Sequence, residues 1–170
     1  LSMSDTISIM RDGQIIQTGT PTELYDTPID SYVADFVGES NFFTGRVSKA
    51  DSARATIQIK NEIELTAPYP EGGLTLSTGQ QGAIIVRPEV VRLWSKDSEM
   101  PPNVDFSIKG SIVNRIYLGH QAEFCIKTDV LGEILARIPK TTEAKSRILS
   151  SGDEVFLGWN WDVGLAMPEG

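Results

Sequence analysis

Ile108-Lys109-Gly110-Ser111-Ile112-Val113-Asn114-Arg115-Ile116-Tyr117-Leu118 decides the fold. Ile108, Ile112, Ile116 and Leu118 fall on one face at period two, with Lys109, Ser111 and Arg115 on the other. That alternation predicts a half-buried strand. Downstream, residues 121–129 and 133–138 read as a hairpin around 130–132, residues 141–148 as a helical turn or two, and Gly152-Asp153 as a turn into a strand at 154–159. Residues 162–166 close the set. Upstream, residues 42–47 and 53–59 form a predicted hairpin, 61–65 a short strand and 83–87 an apolar one. Pro68, Pro70 and Gly72-Gly73 mark a loop, and 95–103 is an exposed connection. Turn signals about every 8–12 residues between short strands predict a barrel or sandwich, not a parallel sheet. The fold class expected is mainly β, an OB-type Greek-key barrel, whose closure removes exposed strand edges.

Residues 1–38 have a different texture. Runs 7–10 and 14–17 flank Asp12-Gly13, a tight-hairpin signal because both positions tolerate positive φ. Thr20-Pro21-Thr22-Glu23 offers an N-cap, a proline for the first helical position and a capping-box glutamate. A second helix is predicted from Asp30 to Gly38, burying Val33, Phe36 and Val37. This segment is therefore mixed α/β, and the domain boundary is placed between 38 and 39, giving domains 1–38 and 39–170.

The net charge of −8 divides unevenly: residues 1–38 carry −5, with Arg11 the sole cation, and the remainder carries −3. Neither part has a basic run, so a nucleic-acid backbone would be repelled and no nucleic-acid partner is expected. No apolar run approaches the roughly 20 residues of a membrane-spanning helix, so no direct membrane insertion is expected. The lone Cys125 fits a reducing compartment, and with one His the chain offers no zinc cluster.

The stretch Asp5-Thr6-Ile7-Ser8-Ile9-Met10-Arg11-Asp12-Gly13-Gln14-Ile15-Ile16-Gln17-Thr18-Gly19-Thr20-Pro21 resembles the pattern that closes the ATPase core of ABC importers. Glu23–Pro28, Tyr32–Gly38 and Asn41-Phe42-Phe43 continue the likeness. Val86-Arg87-Pro88-Glu89 resembles the Arg-Pro-Glu motif of the regulatory region, and Gly110–Gly119 and Gly152–Leu157 resemble its transport-associated OB domain. The resemblance is nearest to subunits serving spermidine/putrescine uptake. It implies that residues 1–38 are the end of an ATPase domain and 39–170 a regulatory domain, so the chain is expected to be the C-terminal part of a longer one. Asp12, Gly13, Gln17, Gly19, Pro21, Arg87, Pro88, Glu89 and Gly119 are then motif positions with structural or interface roles.

The resemblance further implies a parent with ATP and Mg²⁺, a cytoplasmic location against membrane permease subunits, and regulatory barrels that pair. Phe156, Trp159 and Trp161 are the possible dimer face; Trp159 and Trp161 alternate with Val155 and Leu157, so the alternative is that the tryptophans fill the barrel core. This chain itself has no Gly-x-x-x-x-Gly-Lys-Ser/Thr loop and no apolar strand ending in Asp-Glu, so neither catalysis, cofactor nor metal is expected in it. His120 reads as an exposed turn residue. The alternative function is a small-ligand sensor for an oxyanion or a polyamine. A further rival, a nucleic-acid-binding OB module, would want basic grooves lined with aromatics.

Overall fold

The computed structural model describes residues 4–143 and 149–170, and they are mainly β. The chain forms two compact units, residues 1–85 with 164–170, and residues 86–163. The second is thus inserted before the last strand of the first. A boundary after Gly38 falls inside the first unit, for a reason visible in its packing.

The first unit opens on β1 (Ile7–Arg11) and β2 (Gln14–Gly19), an antiparallel hairpin turned by Asp12 and Gly13, both at positive φ. Helix α1 (Pro21–Asp26) starts from the full Thr20/Glu23 capping box. Helix α2 (Ser31–Val37) starts at Asp30, whose carboxylate accepts from the Val33 N–H. Ile9, Leu24, Val33 and Val37 make a core of their own. Phe36, expected inside, is 59% exposed; Ala34 takes the buried place instead, against Ala83, Ile85 and Met167. The i, i+3, i+4 face of so short a helix is narrow, and here two neighbours share it.

Strands β3 (Asn41–Ala50), β4 (Arg54–Ile59), β5 (Ile63–Pro68) and β6 (Gln81–Val86) follow. The strand expected at 61–65 begins two residues later because Lys60 and Asn61, both at positive φ, make the turn.

The second unit contains β7 (Arg92–Ser95), β8 (Phe106–Leu118), β9 (Gln121–Lys127), β10 (Glu133–Pro139) and β11 (Glu154–Trp159) in the order β10-β9-β8-β11-β7. Its ends meet where β10 touches β7 and the 3₁₀ turn Pro88–Val90. The last strand, β12 (Leu165–Pro168), belongs to the first unit, in the order β12-β6-β3-β4-β5, and its curl brings β12 against β5. Each unit therefore contains a curled five-stranded sheet, to which the first adds the β1–β2 hairpin and its two helices. A helical turn expected at 141–148 is present at Lys140–Glu143; residues 144–148 lie outside the described residues.

The period-two face of β8 does not run its whole length. Ile112 stands opposite Ile126, but Asn114 stands opposite Cys125, leaving Val113 as an extra residue, a β-bulge. One added residue exchanges the faces. Ile116 and Leu118, expected inside with Ile112, are 46% and 40% exposed, and Arg115 turns inward opposite Phe124.

Candidate functional site

The N-terminal motif residues hold local structure. The Gln17 side chain donates to the Thr27 carbonyl at 3.0 Å and accepts from the Ile29 N–H at 2.9 Å, tying β2 to the α1–α2 connection. A Cβ on Gly19 would crowd Glu23 Oε2 at 3.1 Å, the oxygen that takes the Thr20 N–H in the capping box. Pro21 occupies the first turn, where a missing N–H costs nothing. The hydrogen bonds from Thr20 hold the Glu23 carboxyl below its usual range. Sequence reading missed the cluster beside them: Arg11 lies 3.5 Å from Asp30 and over the Tyr32 ring at 5.0 Å, while the Tyr32 hydroxyl donates to the Met10 carbonyl.

Val86-Arg87-Pro88-Glu89 forms a corner. β6 ends at Val86, and Pro88 opens the 3₁₀ turn that the Val90 N–H closes onto the Arg87 carbonyl. Arg87 and Pro88 are buried and Glu89 is exposed. Glu89 borders a cleft of about 260 Å³ with Leu93, Phe124 and Arg137, where Arg137 Nε donates to Glu123 at 2.7 Å. Gly119, at φ +66°, makes the β8–β9 turn together with exposed His120, and its surroundings are open.

A larger hollow, about 440 Å³, lies on the outward face of the β9-β8-β11-β7 sheet. Register puts Lys127, Ser111 and Glu154 in one row across three strands, and Lys109, Phe156 and Trp94 in the next. Ser111 and Gly110 are the small residues at its centre. Lys109 Nζ sits 5.7 Å from the Phe156 ring centroid, Phe156 stacks on Trp94 at 6.0 Å, and Lys96 pairs with Glu154 at 3.7 Å. Asp97 and Asp129 complete the charged lining.

The TOBE domain family model matches residues 84–167, the second unit with the strand residues that flank it. Residues 84–167 are a TOBE domain. Along its whole length the chain is also similar to spermidine/putrescine import ATP-binding proteins PotA: 31% identical over 99% of the chain in Ruegeria pomeroyi, and 31% over 99% in Thermobifida fusca. The Marinobacter nauticus protein is 37% identical over 80% of the chain. The chain spans less than half the length of these relatives: 43%, 42% and 34%. Among solved structures, the cytoplasmic molybdate-binding protein ModG with molybdate bound is similar in fold, with a TM-score of 0.62 at 17% identity over 75% of this chain and 95% of that one.

Within the TOBE domain the aromatic residues expected on a dimer face separate. Trp159 is 1% exposed and packs on Phe106 at 4.9 Å, so it contributes to the core and not to a surface. It follows Val155 and Leu157 at period two on the inner face, which is why it is enclosed. Phe156 lies on the opposite, outward face, and Trp161 lies beyond the strand in a 3₁₀ turn, 5.5 Å from Phe106; both are half-buried.

Proposed function

We propose that the chain is the regulatory C-terminal part of the ATP-binding subunit of an ABC importer whose cargo is a polyamine. The observation that carries this reading is similarity along 99% of the chain to a spermidine/putrescine import ATP-binding protein. On this reading residues 1–38 complete an ATPase domain that precedes them. ATP and Mg²⁺ are held by that domain, and the assembled subunit sits against permease subunits on the cytoplasmic face of the membrane.

The TOBE domain then acts by pairing. Two copies tethered through it keep a high effective concentration while the ATPase halves separate after each turnover. The exposed Val113, Ile116 and Leu118 are apolar side chains suited to such a contact. The test is the complete subunit with its permease in proteoliposomes. Removal of residues 86–163 is expected to leave ATP binding intact while abolishing substrate-stimulated hydrolysis and uptake. Undiminished uptake by the shortened subunit, at equal assembly with the permease, contradicts the reading.

A further inference from the structure

We propose that the hollow over Ser111 binds a small zwitterion, a ligand carrying one carboxylate and one ammonium group within the length of an amino acid.

The hollow is built by residue size. Ser111 is small and is flanked on the outward face by Lys109, Lys127, Phe156 and Glu154, so a depression forms over it. Gly110 lends the hollow only backbone, since a Cβ there would point to the opposite face, against Ile126. Its volume of about 440 Å³ lies in the range of small-molecule sites.

The lining selects the charge type. Lys96, Lys109 and Lys127 face Asp97, Asp129 and Glu154, three of each sign. Lys96 and Glu154 satisfy each other at 3.7 Å. The remaining cations, Lys109 and Lys127, flank the Ser111 hydroxyl, one two residues along β8 and the other directly across on β9. A carboxylate placed over Ser111 accepts from the hydroxyl and from both ammonium groups, and such charge-assisted bonds are the stronger ones. Asp129, two residues beyond Lys127, then meets the ligand's ammonium. The Phe156 ring, backed by Trp94, gives intervening methylene groups an apolar floor.

With Lys96 and Glu154 paired, a plain oxyanion in this hollow would leave Asp97 and Asp129 without a cation, and a diamine would leave Lys109 and Lys127 without an anion. A ligand with both signs meets both pairs. This inference is independent of the import reading and goes beyond it.

Butyrate, 4-aminobutyrate and 1,4-diaminobutane share one carbon chain and differ only in their end groups. Titrated against the isotope-labelled chain at neutral pH, 4-aminobutyrate is expected to give saturable amide shifts centred on Ser111, Lys127 and Phe156, with the other two about tenfold weaker. Lys127→Gln and Asp129→Asn are each expected to weaken it by about fivefold or more. Lys60→Gln, an exposed lysine in the first unit, is expected to leave it unchanged. Equal saturation by butyrate or by the diamine makes the hollow an anion or a cation site and overturns the proposal. So does unsaturated binding of 4-aminobutyrate above about 10 mM, or insensitivity to both substitutions.

Discussion

Gln17 satisfies both the Thr27 carbonyl and the Ile29 N–H through one side-chain amide, at 3.0 and 2.9 Å. The contact ties β2 to the connection between α1 and α2 and is partly buried. The amide supplies one donor and one acceptor in the required order, which glutamate cannot do. Gln17→Glu keeps the acceptor for Ile29 and sets a carboxylate against the Thr27 carbonyl, while Gln17→Ala removes both bonds. Each is expected to cost about 1–3 kcal/mol. Hydrogen exchange at Ile29, measured beside the urea midpoint, checks this; unchanged protection in Gln17→Ala removes the structural role.

Gly158 is the second such constraint. A Cβ there would overlap the Phe106 carbonyl oxygen on the neighbouring strand, which has no room to retreat within the ladder. Gly158→Ala is expected to cost about 1–3 kcal/mol or more. Gly132, at φ +72° with open space around it, provides the comparison. Gly132→Asn is expected to be nearly neutral, because asparagine tolerates that backbone region. Thermal unfolding of the two variants should separate them clearly, and equal midpoints would count against close strand approach at Gly158.

Two exposed carboxylates set an acid limb to stability. Hydrogen bonds from Thr20 lower the Glu23 pKa, and the Ala53 and Arg54 N–H groups lower that of Asp51. A carboxylate whose folded pKa is depressed stabilises the fold above its unfolded pKa, and the contribution fades as pH falls through the folded value. The urea midpoint is therefore expected to drop through the acid range below ordinary carboxylate pKa values. Asp51→Asn and Thr20→Ala should each flatten that slope, and Thr20→Ala should also cost about 0.5–2 kcal/mol at neutral pH through loss of the cap. Identical pH profiles for parent and variants would disprove it.

Cys125 is half-buried, and its thiol is pushed up in pKa, first by burial and then by the nearby Glu133 carboxylate. The Cys125 thiol donates to Glu133 Oε2 at 3.6 Å. Thiolate is the reactive form, so alkylation near neutral pH is expected to be slower than for an unperturbed thiol. Glu133→Gln removes a repelling charge and should speed it. A rate indifferent to Glu133 would rule that carboxylate out as a cause and leave burial and Glu123.

Local signals were legible in the sequence. Asp12-Gly13 named its turn, Thr20 and Glu23 their capping box, and Asp30 the start of α2, because each depends on residues within one turn of itself. The division into two units was not legible, since it depends on β12 returning to β6 across an inserted domain. Nor was the placement of Trp159 against Phe106. The hollow over Ser111 was hidden for the same reason. Lys109 and Ser111 could be put on one face of β8 from spacing alone, but Lys127 and Glu154 reach that face only through cross-strand register.

Val113 carries the last prediction, because it is the residue that spacing could not reveal. It is 45% exposed, so its side chain contributes little, yet its presence rotates everything from Asn114 to Leu118 onto the opposite face. Arg115 is thereby brought 5.6 Å from the Phe124 ring centroid and 4.7 Å from that of Tyr117, with Nη1 donating to the Leu149 carbonyl at 2.9 Å. Val113→Ala keeps the backbone count and is expected to change stability by less than about 0.5 kcal/mol. Deleting Val113 restores unbroken alternation: Ile116 and Leu118 are driven inward onto space shaped for Arg115, and the guanidinium is expelled. That loss is expected to exceed the about 0.5–3 kcal/mol of ordinary substitutions. Urea unfolding of the two variants decides between side chain and backbone. A deletion variant as stable as Val113→Ala would show that the bulge does not set the register of the β8–β9 hairpin.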